Sequence, residues 1–428
     1  MIFLASESFK TDGDIIPREK LLHYVQAVVR SSLTELGYAQ DLIRYLEEPQ
    51  RILKVKIPVK LDQTGTRVFT GYRVQYNDAP GPTKGGVLFH PDIEVDKLQA
   101  MSMWNGIKSS VLNLPFGGAK GGIICDPREL SFREMEGLAR GYIREISPII
   151  GPDKDIPAMD ASSNSQVMAW MMDEFSRIHP EGLSTFFTGK PLIFGGLAKR
   201  DSAIADGITV VVKEAARLKK INLNHAQIII QGFGSAGSLI AKSLSRSGIR
   251  IVGISDAYGG LYAPEGLDID ELLDSRDSFG TVTKLFEQTI TNQELLEKPC
   301  DLLILAAIEN QITDKNEENI KAKIVIEGTG RAVSEHAAES MTARDILLVP
   351  EILAGAGDVA VSYLEWVQHL QGNIWTNEEV DRRFHQIIGA AFQSVAETAE
   401  ERNMTMRRAA YLNGIQRLAE KVRFRGWI

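Results

Sequence analysis

The most restrictive feature of the sequence is a glycine pattern between two apolar segments at residues 228–256, IIIQGFGSAGSLIAKSLSRSGIRIVGISD. Gly232, Gly234 and Gly237 have the spacing GxGxxG, and Asp256 follows the last glycine by 19 residues. In a strand–helix–strand unit such glycines permit a tight turn and a close approach to a pyrophosphate, which the helix N-terminus binds. An acid at the end of the second strand bonds a ribose diol. The segment therefore predicts a dinucleotide site, and Asp256 favours NAD because the 2′-phosphate of NADP would meet like charge.

Short apolar segments alternate with helical periodicity around this pattern. We predict a helix at 238–247 and strands at 227–231, 250–255, 302–305, 324–327 and 346–349. Strands that alternate with helices form parallel sheets covered on both faces. This part of the chain, residues 201–354, is therefore predicted to be a dinucleotide-binding domain.

The remaining sequence has a different rhythm. We predict a helix at 21–36, a hairpin of 51–60 with 68–74, a helix at 131–146, and a further helix that starts at Thr376 or Asn377. Residues 1–200 and 355–428 are predicted to form one substrate-binding and oligomerisation domain. The fold class is therefore α/β with two domains.

Composition excludes several classes of protein. The formal net charge is −8, from 48 Lys and Arg against 56 Asp and Glu, which gives no general attraction to nucleic acid or anionic membranes. The longest strongly apolar stretch, 302–308, is far shorter than the ~20 residues that span a bilayer, and residues 1–14 lack the basic start of a signal peptide. Cys125 and Cys300 form no metal-binding pattern and suit a reducing compartment. We expect a cytoplasmic protein without a metal.

Three lysines lie in glycine-rich surroundings: Lys84 in PTKGG, Lys108 in NGIKSS and Lys120 in PFGGAKGG. Three lysines this close together are most simply read as solvated surface charge, since lysine is rarely buried. The apolar, glycine-rich flanks favour a second interpretation, in which desolvation lowers the pKa of Lys120 and Asp160 is the matching proton acceptor. The residues alone leave both interpretations open.

The whole pattern resembles the glutamate dehydrogenase family, above all its NAD-dependent bacterial members. The resemblance runs from about residue 20 to the end of the sequence and rests on PTKGGVLFHP, LPFGGAKGGIICDP, MAWMMDEFSR, FTGKP, IIIQGFGSAGS, GISDAYGGLY, AAIENQIT, VSYLEWVQ and RFRGWI. It implies a mixed-sheet substrate domain, a Rossmann-type NAD domain, and a cleft between them. It further implies a homohexamer, or a hexamer shared with a paralogue, that acts on a small amino acid and its 2-oxo acid.

The resemblance also assigns roles to single residues. Lys108 matches the lysine that binds the α-carboxylate, and Lys84 and Ser362 match groups that bind the side-chain carboxylate. Lys120 matches the catalytic lysine and Asp160 the carboxylate that moves protons. Arg200 lies in a stretch that contacts the cofactor.

The chain departs from the usual family pattern at six positions of this kind: Leu88, Asn105, Ile204, Gly330, Arg331 and Asp358. Leu88 replaces an arginine, Gly330 an asparagine, and Arg331 and Asp358 replace glycines. The clustering leaves three hypotheses: a glutamate dehydrogenase, a relative with a changed amino-acid substrate, and a catalytically impaired NAD-binding subunit. An alternative explanation of two of these changes is that Arg331 and Asp358 simply pair with each other.

Overall fold

The computed structural model describes residues 19–160, 162–180, 184–277 and 280–428, so the segment examined for a signal peptide lies outside it. The strands are β1 Arg51–Leu61, β2 Gly65–Gln75, β3 Thr83–His90, β4 Gly117–Ile124, β5 Asp155–Ala158, β6 Ile228–Gln231, β7 Ile251–Asp256, β8 Gly259–Tyr262, β9 Leu302–Leu305, β10 Ile324–Glu327 and β11 Leu347–Val349. The helices up to the second sheet are α1 Glu19–Glu35, α2 Gln40–Leu46, α3 Val95–Val111, α4 Phe132–Ile146, α5 Ser165–Ile178 and α6 Ala203–Leu218. The later helices are α7 Ser235–Arg246, α8 Ile269–Asp274, α9 Asn292–Leu296, α10 Glu335–Ala343, α11 Glu351–Ala354, α12 Gly357–Gln371, α13 Asn377–Glu401 and α14 Met406–Phe424.

The first sheet has the strand order β1-β2-β4-β3-β5 and is mixed. The predicted hairpin is confirmed, because β1 and β2 pair antiparallel with Arg51 opposite Gln75. β2 also pairs antiparallel with β4, whereas β3 pairs parallel with both β4 and β5. β3 and β4 are buried along almost their whole length, which brings the lysine-bearing, glycine-rich segments to the centre of this sheet.

The second sheet has the order β11-β10-β9-β6-β7-β8, and all its pairings are parallel except that of β7 with β8. The predicted parallel sheet is thus confirmed, with a short antiparallel edge strand that the sequence pattern did not predict. The helix after the glycine turn starts at Ser235, three residues before the predicted start, because Gly237 lies inside its first turn.

The last two helices of the chain pack on helices from earlier parts of the sequence. α14 packs against α1 and α3, and α13 packs against α6. Arg417 on α14 donates a hydrogen bond to the carbonyl of Val111 at 2.8 Å, and Arg425 donates one to the carbonyl of Ala79 at 2.7 Å. Both chain halves therefore build the surroundings of α3, which carries Lys108.

Two helix starts follow from local chemistry. Ser131 caps α4 in a capping box with Glu134, and Thr376 caps α13 in a capping box with Glu379. Within the described part of the chain, no helix is long and apolar enough to cross a membrane.

Candidate active site

A cavity of about 710 Å³ lies between β3, β4 and the segment after β5 on one side and the start of α7 and the residues that follow β10 and β11 on the other. The residues that line it from the first sheet and its helices include Lys84, Leu88, Asn105, Lys108, Lys120 and Asp160. The second sheet and the returning helices contribute Ser235, Gly330, Arg331, Glu351, Asp358 and Arg407. The three predicted lysines and Asp160 therefore share one cavity.

Lys120 and Asp160 form an ion pair at the centre of this cavity. Their side chains are 6% and 15% exposed, so the pair is largely shielded from water. Gly86 on β3 makes the approach possible, since a Cβ there would lie 1.9 Å from an Asp160 carboxylate oxygen. Asn105 donates a hydrogen bond to the carbonyl of Ala119 at 3.0 Å and so fixes the strand beside Lys120. An ammonium and a carboxylate in contact can exchange protons with a bound molecule.

Lys84 is buried on β3, and burial lowers its pKa to about 8. The negative charges of Asp358 and Asp160 oppose this effect, whereas Arg200 and Lys120 add to it. The solvated-surface interpretation of the three lysines is therefore wrong, because all three side chains are buried.

Lys108 forms an ion pair with Glu351, at 2.7 Å between Nζ and Oε1, and also donates to the carbonyl of Gly355 at 3.4 Å. Burial lowers the pKa of Lys108, but the carboxylates of Glu351 and Asp358 outweigh it, so that the pKa is raised overall. The indole Nε1 of Trp104 lies 3.4 Å from the other oxygen of Glu351 and donates to it. A carboxylate of the chain itself thus occupies Lys108 before any ligand binds.

The alternative in which Arg331 pairs with Asp358 does not hold in the described part of the chain. The Arg331 guanidinium lies over the ring of Tyr24, 4.1 Å from its centroid, and within the described residues no ion pair links it to Asp358. Arg331 has a positive φ of 56°, a backbone conformation that favours glycine. The Asp358 carboxyl sits in the first turn of α12, and in the described part of the chain its enclosed Oδ1 has no hydrogen-bond partner.

Ser362 is fully buried and lies behind the cavity wall, one helical turn after Asp358. Its hydroxyl accepts a hydrogen bond from Arg200 at 2.9 Å and donates to the carbonyl of Asp358 at 2.7 Å. Arg200 lines the cavity and also lies 3.8 Å from Glu365. Ser362 is therefore linked to the cavity by its hydrogen bond with Arg200, which lines it.

The other departures lie in two environments. Leu88 is 2% exposed and packs in an apolar cluster with Val74, Ile93 and Leu98. Ile204 is partly buried at the cavity wall beside the start of α6.

The glycine turn between β6 and α7 fits a dinucleotide. Gly232 has a φ of 95°, and a Cβ on Gly237 would lie 1.7 Å from the Gly232 carbonyl oxygen, so both positions require glycine. A Cβ on Gly234 would meet nothing within 4 Å, which leaves open space in front of the α7 N-terminus. Backbone N–H groups and a helix dipole face this space, as a pyrophosphate requires.

Asp256 at the end of β7 is already extensively bonded. Its carboxylate accepts hydrogen bonds from the backbone N–H groups of Tyr258, Val282 and Thr283 and from the Thr283 hydroxyl. Burial raises the pKa of Asp256, but these hydrogen bonds outweigh it and lower the pKa overall. A ribose hydroxyl would share this carboxylate with the 282–283 segment.

Two ion pairs of the site were not predicted from the sequence. Glu351 reaches Lys108 across 243 residues of sequence, and Arg407 on α14 bonds Glu327 at 2.9 Å at the end of β10. Burial raises the pKa of Glu327, and the Arg407 charge only partly offsets this. Nothing in the local sequence indicated either pair. Across the described residues, no group of three or more His, Cys, Asp or Glu side chains could hold a metal ion.

Comparison with known proteins finds matches to one family of dehydrogenases. Residues 195–426 match the profile of Glutamate/Leucine/Phenylalanine/Valine dehydrogenase, and residues 49–177 match that of the Glu/Leu/Phe/Val dehydrogenase dimerisation domain. The cryptic catabolic NAD-specific glutamate dehydrogenase of Bacillus subtilis is 53% identical over 95% of this chain and 96% of its own length. An NAD-specific glutamate dehydrogenase of Staphylococcus aureus is 50% identical over 95% of this chain and 98% of its own.

Solved structures agree with this fold. Glutamate dehydrogenase from Peptoniphilus asaccharolyticus has a TM-score of 0.87 and 36% identity, covering 95% of this chain and all of its own. A hetero-hexameric glutamate dehydrogenase from Thermus thermophilus, in a leucine-bound form, has a TM-score of 0.86 and 33% identity, covering 98% and 99%. Both chains share the two-sheet architecture over nearly their whole length.

Proposed function

Because this chain belongs to the Glu/Leu/Phe/Val dehydrogenase family, we propose that it catalyses the NAD-dependent oxidative deamination of L-glutamate. The amino acid, NAD⁺ and water give 2-oxoglutarate, ammonium, NADH and a proton. The observation that carries this proposal is the shielded Lys120–Asp160 pair in a cavity that Lys84 and Lys108 also line.

In this proposal, two of the lysines each bind one carboxylate of the substrate. Lys108 binds the α-carboxylate, for which the substrate competes with Glu351. Lys84 binds the side-chain carboxylate, and Ser362 supports that end of the cavity through Arg200. Charge-assisted hydrogen bonds of this kind hold carboxylates strongly when they are desolvated.

Lys120 and Asp160 perform the proton transfers. Bound NAD would supply the hydride acceptor for the α-carbon, and the oxidised substrate would be an imine. The Lys120 ammonium then orients water towards the imine carbon, and Asp160 takes a proton from that water and returns one to the departing amine. The low exposure of the pair keeps bulk water from competing with this exchange.

NAD is proposed to bind across the glycine turn, with its pyrophosphate at the N-terminus of α7. Gly232, Gly234 and Gly237 supply the close approach, and Asp256 faces the adenosine ribose. Arg200 lies on the cavity side, where the nicotinamide end would enter. The boundaries near residues 200 and 355 separate this cofactor domain, 201–354, from the substrate domain formed by 1–200 and 355–428.

We infer that the chain forms an oligomer, because residues 49–177 match a dimerisation domain. We extend this to a homohexamer, with a shared hexamer containing a paralogue as the alternative. We also propose that it works in the cytoplasm, which the two buried free cysteines support.

The test is formation of NADH by the purified protein with L-glutamate. Lys120→Ala and Asp160→Asn should each reduce kcat by at least about a hundredfold, because general acid–base groups contribute roughly that much. Lys60→Met, which changes an exposed lysine of β1, is the matched control and should leave kcat unaltered. Turnover that survives in both site variants would contradict the assigned chemistry.

A second candidate function rests on Arg331 and Glu351. The Arg331 guanidinium lies in the cavity over the ring of Tyr24, and the Glu351 carboxylate forms an ion pair with Lys108. An NAD-binding subunit with impaired chemistry would show both features. Calorimetry that detects NAD binding without any turnover would favour this candidate over the enzyme.

A further inference from the structure

The part of the cavity to which the proposed function assigns the substrate side chain contains a donor, Lys84, and an acceptor, Asp358. Lys84 on β3 and Asp358 in the first turn of α12 both line the cavity. The charge of Lys108, and after it that of Lys84, lowers the pKa of Asp358, and Asp358 in turn raises the pKa of Lys84. Within the described residues, neither an ion pair nor a hydrogen bond joins Lys84 to Asp358. The Asp358 Oδ1 is enclosed and has no hydrogen-bond partner among the residues that the structure describes. An enclosed acceptor without a partner is costly, and a ligand that supplies a donor removes that cost.

The surroundings limit which ligand group fits. A carboxylate brings two acceptors and a negative charge towards Asp358, so it satisfies Lys84 but not Asp358. A cationic group satisfies Asp358 but meets the charges of Lys84 and Arg200. A carboxamide carries a carbonyl for the Lys84 ammonium and an NH₂ group for the Asp358 carboxylate.

The position of Leu88 also favours a substrate whose side chain ends in a carboxamide. It lies four residues after Lys84 on β3 and lines the same cavity, but it is buried in an apolar cluster with Val74, Ile93 and Leu98. It therefore adds no cation that would favour an acidic side chain. Arg200, another cation that lines the cavity, donates a hydrogen bond to the Ser362 hydroxyl at 2.9 Å.

We propose that this cavity also accepts an L-amino acid whose side chain ends in a carboxamide, and that Asp358 is the residue that selects it. The inference rests on the proposed deamination, and L-glutamine is the substrate with the chain length of glutamate. The α-carbon gives its hydride to NAD⁺, water replaces the α-amine, and ammonium leaves. The side-chain amide is untouched, so the product is the 2-oxo acid that retains it.

The experiment compares kcat/KM for L-glutamine and L-glutamate in the purified oligomer with NAD. Glutamine freed of contaminating glutamate is used, and mass spectrometry shows whether the product keeps its amide. Asp358→Asn and Asp358→Gly should lower the glutamine-to-glutamate ratio by roughly ten- to hundredfold, as expected for loss of a hydrogen bond to a charged group. Glu378→Gln, which neutralises an exposed acid in the first turn of α13, should leave the ratio as in the unmodified chain.

Each outcome decides one of the two proposals. Glutamate oxidation without glutamine oxidation, or a ratio that neither Asp358 variant lowers, overturns the carboxamide proposal and leaves the deamination standing. Absence of NADH with glutamate and glutamine alike overturns the deamination instead. In that case calorimetric titration of both amino acids still decides the selectivity: preferential glutamine binding that Asp358→Asn abolishes supports it, and equal binding overturns it.

Discussion

Lys84 should lower the stability of the fold at neutral pH, and Lys84→Met should therefore stabilise it. Burial depresses the pKa of Lys84 from 10.5 to about 8. At 1.36 kcal/mol for each tenfold change in proton affinity, the buried charge costs about 3 kcal/mol. Methionine has a similar volume without the charge, so the variant should recover most of that cost near pH 7.

The pH dependence identifies the cause. Below pH 8 Lys84 is charged in the folded and the unfolded chain, so the whole cost is present. Between pH 8 and 10.5 only the unfolded chain holds the proton, so stability rises with pH, and above 10.5 the difference vanishes. The groups that set this pKa are Asp358, Asp160, Arg200 and Lys120.

Urea unfolding of both proteins at equal concentration, near pH 7 and near pH 10, measures the effect, since assembly makes stability depend on concentration. The advantage of Lys84→Met should be about 3 kcal/mol at the lower pH and should shrink at the higher one. Lys60→Met, an exposed lysine of the same sheet, is the control. An advantage that is equal at both pH values, or absent near pH 7, would refute the electrostatic reasoning.

Three further changes test other contacts. Arg73→Met breaks a fully buried pair with Asp155 (2.7 Å from Nε to Oδ2), and urea unfolding should show a loss of about 3–5 kcal/mol; a loss below about 1 kcal/mol would contradict the burial argument. Gly237→Ala should abolish NAD binding in a fluorescence titration, because its Cβ would meet the Gly232 carbonyl, and binding at ordinary strength would count against the turn geometry. Glu351→Gln should lower the KM for glutamate roughly tenfold with little effect on kcat, because Lys108 no longer holds a competing anion. A raised KM in steady-state kinetics would instead make Glu351 a residue that positions Lys108.

Local patterns predicted much of the second sheet. Its strands are short apolar runs between turn residues. The glycine turn could be predicted from local sequence because Gly232 needs a positive φ. The start of α7 was misplaced because Gly237 packs against that turn from within the helix. The edge strand β8 depends on pairing with β7, which no periodicity within four residues can indicate.

The site was predictable as a set of residues and one pairing, that of Lys120 with Asp160. Glycine-rich flanks indicated that Lys84 and Lys120 lie close to other backbone, and β3 and β4 do pair side by side. The contact of Lys108 with Glu351 depends on the return of the chain, and Glu351 therefore could not be assigned. The pairing of Arg331 with Asp358 failed for the same reason, because Tyr24 comes from the distant helix α1.

The late return of α14 has a consequence for synthesis on the ribosome. The second sheet is complete by Val349, whereas the face of α3 that packs on α14 is covered only when α14 emerges. During that interval this face of α3 is open to other chains. Nascent chains halted before Met406 should therefore bind holdase chaperones through the first half of the sequence, and release should coincide with the emergence of Arg417 and the residues around it.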